Sequence, residues 1–243
     1  MNLALLPPVD ICVVSVDSLT GRNIVVWEKP ATTLIDSFVV FRESVVANIY
    51  ERIGTQSYGD FSTFIDAQSN PFAQASRYKL GLVDTCGTLS STSEMHKTMH
   101  LTLNLGVGGT VNLIWSGYEG INFGSYKIYR GTALDNMSLL ITIQSSLNSY
   151  TDLTPPAGTV YYQLEIVIPG CNPTAFGFLS SRSNIANTGA IGFEQINSDD
   201  VRVFPNPTDV GFTIQSNAIM AGESIELLDQ VGRLVLHLSL IHI

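Results

Sequence analysis

The stretch RNIVVW at residues 22–27 returns as TVNLIW at residues 110–115, so that its tryptophan recurs 88 positions later. A little further on, IDSFVVFR at residues 35–42 returns as FGSYKIYR at residues 123–130, with the same offset. Self-similarity at a fixed offset is the sequence signature of a repeated structural unit. The chain therefore contains two copies of one module.

The offset between the copies drifts slightly along the chain. It has become 84 where RYKL at residues 77–80 corresponds to YYQL at residues 161–164. Such drift is expected when surface loops differ in length, because loops tolerate insertions and deletions while paired strands do not. We predict that the first module spans residues 1–99 and the second residues 100–187.

Each copy has the pattern of an all-β domain. Short runs of β-branched and aromatic residues alternate with Gly, Pro, Asn and Asp clusters about every ten residues, a spacing typical of a β-sandwich. We place seven short strands in each copy. Residues Asp17–Gly21 are predicted to close the first hairpin, with Gly21 at positive φ.

Composition excludes several classes of function. The chain is 45% hydrophobic but only 14% charged, with a net charge of −9, and its 12 lysines and arginines are scattered singly. It therefore lacks the basic face that phosphates or anionic lipids require, and we predict no nucleic-acid partner. No apolar run approaches the roughly 20 residues of a membrane helix, so we predict no membrane-spanning segment.

Motifs for catalysis are missing as well. The sequence has no Gly-x-Ser-x-Gly elbow, His-Glu-x-x-His pair, phosphate loop or dinucleotide fingerprint. His96 and His100 are close in sequence, but only Glu94 offers a nearby carboxylate, so we expect histidines of a connecting strand rather than a zinc site. We predict that the chain is not an enzyme and has no cofactor or metal.

Three features together resemble the fibronectin type III module, over residues 7–187. They are one tryptophan in the second strand, an aromatic third strand that ends in arginine, and a tyrosine that opens the sixth strand. The resemblance implies two tandem immunoglobulin-like β-sandwiches with Trp27 and Trp115 in their cores. It also implies that Tyr78 or Tyr162 makes the corner hydrogen bond near the sixth strand.

The resemblance also bears on the three cysteines, Cys12, Cys86 and Cys171. In a sandwich of this type the first strand approaches the loop before the last strand at the same end of the domain. The resemblance therefore allows a disulfide between Cys12 and Cys86, which suits an exported protein. Cys171 then stays unpaired or bonds elsewhere.

After a polar linker at residues 188–200, the C-terminal part begins with VRVFPNPT at residues 201–208 and continues with ESIELLDQVGRLV at residues 223–235. Its strand, Pro-Asn-Pro turn, aspartate and Gly-Arg pair, in this order, resemble the type IX secretion C-terminal sorting domain. The resemblance implies a partial sandwich-type sorting domain at residues 201–237. The predicted sorting signal comprises Phe204, Pro205, Asn206, Pro207, Asp229, Gly232 and Arg233.

The two prolines of this turn fix two φ angles and remove two N–H donors, which gives a rigid turn that another protein could read. An ordinary turn between two strands is the alternative interpretation. The sorting resemblance implies the type IX secretion machinery as a partner. It also implies secretion, or attachment to the outer membrane, in a Gram-negative bacterium of the Bacteroidota.

Both termini are expected to be cut. The opening residues 1–8 lack the basic region and the apolar length of a signal peptide. The closing hexapeptide LSLIHI, residues 238–243, matches the translation of a transposon-end adapter used in DNA library preparation. We expect that these six residues are foreign and that the sorting domain is truncated.

The predicted function is a non-catalytic structural or adhesive region of an exported surface protein, with extracellular protein or glycan surfaces as partners. No Arg-Gly-Asp triplet occurs. The alternative is a carbohydrate-binding accessory region of a secreted hydrolase, in which exposed aromatic rings stack on sugars. The candidate rings are Tyr50, Tyr58, Phe61, Tyr118 and Phe123.

Overall fold

The computed structural model describes residues 7–171 and 178–190 and, beyond them, four short strands within residues 201–239. The chain forms two compact units, residues 1–191 and 192–243. Among the described residues of the first unit, every regular element is a strand apart from two short 3₁₀ turns. The predicted all-β fold class is confirmed.

Seven antiparallel strands form the first sandwich, as predicted. They are β1 (Ile11–Val16), β2 (Asn23–Trp27), β3 (Ile35–Glu43), β4 (Tyr50–Ser57), β5 (Thr63–Asp66), β6 (Arg77–Asp84) and β7 (His96–Lys97). One sheet has the order β1-β2-β5 and the other the order β4-β3-β6-β7. This three-plus-four arrangement agrees with the fibronectin type III-like sandwich.

The second sandwich repeats the arrangement with a divided last strand. Its strands are β8 (His100–Leu105), β9 (Val111–Ser116), β10 (Ser125–Gly131), β11 (Met137–Gln144), β12 (Ser149–Asp152), β13 (Tyr161–Cys171), β14 (Phe178–Arg182) and β15 (Ala186–Asn187). The sheets have the orders β12-β9-β8 and β11-β10-β13-β14, and β15 also pairs with β13. The described part of this copy thus has eight strands instead of the seven predicted. Between β14 and β15, the Ser183 hydroxyl accepts the Leu164 N–H at 3.0 Å and replaces a backbone pairing.

Strand registers define which residues of the two copies correspond. In the three-stranded sheets, Val14 lies opposite Val25, and Leu103 lies opposite Leu113, which is 88 positions after Val25. Val14 of β1 and Leu103 of β8 are therefore counterparts.

The other sheets give a second pair. His96 lies opposite Tyr78, and Ala186 lies opposite Tyr162. Because the two tyrosines are repeat counterparts, His96 of β7 and Ala186 of β15 correspond as well.

The cores are built around the two tryptophans, as predicted. Trp27 is fully buried, with its ring 5.2 Å from that of Phe38, and Trp115 is buried with its ring 5.4 Å from that of Tyr126. Gly21, in the first hairpin, has a φ of 65°, which confirms the predicted turn.

Each copy contains a buried cluster of tyrosine, aspartate and arginine. In the first copy the Tyr78 hydroxyl donates to Asp66 Oδ2 at 2.9 Å, and Arg42 Nη1 donates to the same oxygen at 2.7 Å. The corner tyrosine therefore bonds a carboxylate at the end of β5, whereas the usual tyrosine corner bonds the backbone. The same contacts recur among Tyr162, Asp152 and Arg130.

The second unit contains two hairpins in its described residues. Strand β16 (Val201–Phe204) pairs with β17 (Thr213–Ser216), and β18 (Ser224–Leu228) pairs with β19 (Leu234–Ser239). Of the predicted sorting signal, Phe204 ends β16, and the other residues lie outside the described residues: Pro205, Asn206, Pro207, Asp229, Gly232 and Arg233. The sorting signal and all predicted domain boundaries remain predictions.

None of the helices in the described ranges is long and apolar enough to cross a membrane.

Candidate functional site: the junction of the two sandwiches

Strands β1 and β2 of the first sandwich are buried on both faces, whereas Ile65 of the neighbouring strand β5 is 43% exposed. Val25 and Trp27 point into the core, and the alternate residues Ile24 and Val26 point outward. Val26 is nevertheless 0% exposed. The outer face of an isolated sandwich would instead alternate with solvent. Strands β13 and β14 of the second sandwich pack against β1. The second copy thus covers part of the first.

The free edge of β1 is closed by side chains of the second sandwich. The Val14 N–H donates to the Tyr118 hydroxyl at 3.1 Å, and the Ser181 hydroxyl donates to the Val14 carbonyl at 2.6 Å. The Arg182 N–H donates to the Ser15 hydroxyl at 3.0 Å. An edge strand normally presents unpaired backbone groups that invite association with other strands. Here the junction satisfies them.

A buried histidine lies at the centre of the junction. His96 is 4% exposed, and its Nδ1 is 2.9 Å from the Tyr118 hydroxyl. The Tyr118 oxygen accepts the Val14 N–H, and the same hydroxyl forms a hydrogen bond with Nδ1 whose direction depends on the imidazole tautomer. Burial lowers the pKa of His96 to about 4 and raises the pKa of Tyr118.

A glycine allows this close packing. Gly120 has a φ of 115°, and a Cβ there would lie 2.5 Å from the His96 ring. Any other residue would be strained in the backbone and would collide with the imidazole. The loop that carries Tyr118 therefore depends on Gly120.

Charged groups close the rim of the junction. Arg77 donates to Glu43 at 2.9 Å and lies 3.4 Å from Glu119, which also pairs with Lys97. The pKa of Glu43 is lowered, mainly by the Asn48 N–H. Burial opposes ionisation of Glu119, but Lys97 and Arg77 outweigh it and hold the pKa of this carboxyl below its usual value. Four charged side chains thus tie the two copies together at the surface.

The chemistry of the junction is that of an interface. In the described part of the chain, no group of three or more His, Cys, Asp or Glu residues could hold a metal ion. His96 bonds Tyr118, whereas His100 Nδ1 lies 2.8 Å from the Pro71 carbonyl, so the two histidines do not share a ligand. A cleft of about 320 Å³ beside Lys97 and Glu119 is close to the lower limit for ligand pockets, roughly 300 Å³.

The cysteine prediction is wrong. Cys12 is disulfide-bonded, but Cys86 carries a free, exposed thiol. Cys86 lies in a tight turn after β6, where Asp84 Oδ1 accepts the N–H groups of Cys86 at 2.9 Å and Thr88 at 2.8 Å. Because this local turn holds the thiol at the surface, Cys86 is not the partner of Cys12.

Most of the candidate sugar-stacking rings are engaged in packing. Tyr118 is buried, and its ring contacts that of Phe123 at 6.4 Å between centroids. Tyr58 stacks on a core phenylalanine, and Tyr50 lies beneath a lysine ammonium. Phe61 is exposed. The structure therefore does not bring these five rings into one row.

No protein-family model matches the chain, and no curated protein matches it. Among solved structures, a two-module fibronectin type III segment of chicken tenascin is 12% identical, with 76% of this chain and 96% of that chain covered at a TM-score of 0.29. The chicken interferon gamma receptor alpha chain is 11% identical, with 76% and 98% covered at a TM-score of 0.31.

Part of the chain also matches the pectate lyase PelI from Erwinia chrysanthemi, with 18% identity, 38% of this chain and 29% of that chain covered, and a TM-score of 0.32. The chain spans less than a third of the length of the pectate lyases it matches.

Proposed function

We propose that residues 7–190 are a non-catalytic structural region of an exported surface protein, in which two sandwiches are held as one stiff body. The observation that carries this proposal is the burial of both faces of strands β1 and β2. Neighbouring domains move relative to each other by default unless their interface is large and apolar. Here Ile24 and Val26 are buried on the outer face, and Val14 has both backbone groups bonded across the junction.

A stiff pair of this kind suits a spacer or an adhesive stalk. Two modules on a flexible linker would sample many orientations and would shorten the reach of whatever they carry. A fixed junction keeps the ends of the pair at a defined distance. It also removes an open strand edge from the surface, which lowers the risk of aggregation.

Backbone ¹⁵N relaxation of the full chain tests the stiff junction. We expect the amides of β1–β7 and β8–β15 to report one shared rotational diffusion tensor. Replacement of Gly120 by valine, which drives a side chain into His96, should separate them into two tensors. Gly158→Ala is the matched control, because Gly158 also has a positive φ of 89° but open space at its Cβ position. Two independent tensors in the unaltered chain would contradict the proposal.

Export by type IX secretion is the second part of the proposal. It is supported by the sequence landmarks of residues 201–235, in particular Pro205, Pro207 and the Gly232–Arg233 pair. The partners are then the secretion machinery and, after export, extracellular protein or glycan surfaces. This assignment concerns the second unit and is independent of the stiff junction.

A reporter fusion tests export. Residues 188 onward, with the tail completed from an intact gene, are fused behind a periplasm-directed fluorescent protein in a type IX-competent bacterium. We expect the reporter at the cell surface or in the medium. Pro205→Ala with Pro207→Ala should retain it in the periplasm, and Thr208→Ala should not. Periplasmic retention of the unaltered fusion would argue against the sorting assignment.

A further inference from the structure

The first sandwich has a slot between strands β1 and β7, and a tyrosine of the second sandwich fills it. The Val14 N–H donates to the Tyr118 hydroxyl from one side, and His96 Nδ1 forms a hydrogen bond with the same hydroxyl on the other. The rings of His96 and Tyr118 meet edge to face at 5.9 Å between centroids. The slot thus takes up an apolar ring and bonds its polar tip.

The second sandwich has the counterpart of this slot. Leu103 corresponds to Val14, and Ala186 corresponds to His96. Both residues line a groove of about 280 Å³ between β8 and residues 184–187. Alanine stands in this groove where the first copy has the larger imidazole of His96.

The backbone at the groove is set up to bond a ligand. Asn184 Oδ1 accepts the Leu101 N–H at 2.8 Å, and its Nδ2 donates to the Leu101 carbonyl at 2.9 Å, so the backbone groups of Leu101 point away from β9. Residues two apart in a strand direct these groups to the same edge. The Leu103 N–H therefore points into the groove, where it meets no acceptor within residues 7–171 and 178–190.

The lining of the groove is uncharged. It includes Leu101, Leu103, Ala186 and Phe72, whose ring is 61% exposed. A charged side chain would lose its hydration here without gaining a counter-ion. A tyrosine, which combines an apolar ring with a polar tip, fits both the lining and the free N–H group.

We propose that this groove is a docking site for a tyrosine carried on a loop of another protein module. The ring packs against Phe72 and the two leucines, and the Leu103 N–H donates to the phenolic oxygen, as Val14 does to Tyr118. The second sandwich would then bind a tyrosine of its partner in the same way as the first sandwich binds Tyr118 of the second.

The test uses the chain's own tyrosine loop as a probe. The peptide SGYEGINF, residues 116–123, is titrated into the ¹⁵N-labelled full chain, and the amide signals of Leu103 and Val14 are followed. We expect a saturable shift at Leu103, with the millimolar affinity of a single inserted side chain. The same peptide with Tyr118→Ala should leave the Leu103 signal in place.

Two variants of the chain serve as controls. Ala186→Trp fills the groove and should abolish the shift at Leu103. Phe72→Ala, at an exposed position that cannot endanger folding of the core, should weaken binding several-fold. The proposal is overturned if Leu103 does not shift, if the alanine peptide shifts it equally, or if Val14 responds instead because the peptide has displaced Tyr118.

Discussion

The three-stranded sheets of the two copies are built from corresponding strands, but these strands differ in how far they are buried. Every residue of β2 is buried, whereas β9 alternates between buried and accessible residues. Val26 and Ile114 occupy corresponding outward positions, and they are 0% and 46% exposed. Strands β13 and β14 of the second copy pack against β1 of the first, whereas the corresponding face of the second copy is open at Ile114. We therefore expect the two homologous modules to differ in stability.

The sharpest test places the same charge at both outward positions. Val26→Asp puts a carboxylate into an apolar, desolvated contact and should cost more than about 4 kcal/mol, enough to unfold the first sandwich. Ile114→Asp lies at an accessible surface and should change stability by no more than about 0.5 kcal/mol. Urea unfolding, followed by tryptophan fluorescence, measures both. Equal losses of stability in the two variants would contradict the difference between the two outward positions.

The buried aspartates should behave alike in both copies. Asp66→Ala and Asp152→Ala each leave an arginine and a buried tyrosine hydroxyl without their partner, and each should cost roughly 3 kcal/mol. The same urea experiment applies, with Asp36→Ala on the exposed side of β3 as a control. A large difference between the two losses would show that the copies also differ inside their cores.

Acid should weaken the junction through His96. Its pKa in the folded chain is about 4, below the ordinary value of 6.5. Between these two pH values the unfolded chain therefore binds a proton at His96 and the folded chain does not. Stability is fully present above pH 6.5 and is lost as the pH falls, by about 2 kcal/mol between pH 6.5 and pH 5. His96→Gln should remove this slope. If the urea midpoints of the unaltered chain and of His96→Gln fall equally between pH 6.5 and pH 5, His96 is not the source of the acid sensitivity.

Loss of the rim charges should have the smallest effect. Arg77→Ala removes the contacts to Glu43 and Glu119, but these groups are partly exposed and screened, so we expect a loss below about 1 kcal/mol. Raising the salt concentration should shrink the loss further. Arg52→Ala, which removes a charge from the exposed strand β4, is the control. A large loss that is insensitive to salt would assign Arg77 a role in packing instead.

Much of the fold could be predicted because the repeat carries its own landmarks. The 88-residue offset located both tryptophans, and the first hairpin followed from Asp17 and Gly21, whose roles are local. The corner tyrosines were placed correctly too, but the aspartate that each of them bonds was not predicted. Asp66 and Asp152 align in the repeat, yet a sequence shows only that they correspond, not that they meet a tyrosine in space.

The junction was missed, although the sequence holds a signal for it. ICVVSV in β1 and NIVVW in β2 lack the alternation of a half-exposed strand, and such runs are typical of strands buried on both faces. What covers them could not be predicted, because Tyr118 is 104 residues from the Val14 that it bonds. The cysteine prediction failed because a local turn, not the domain type, decides where Cys86 lies.

The hydrogen bond between Ser181 and Val14 joins residues 167 positions apart. Contacts of such long range form late in folding, because the entropy of closing the loop is lost before the contact can repay it. During synthesis β1 leaves the ribosome before β14, so its edge stays open until β14 has been made, and open edges of this kind are prone to association. We expect the second sandwich to fold first and to provide the surface against which β1 of the first sandwich then packs.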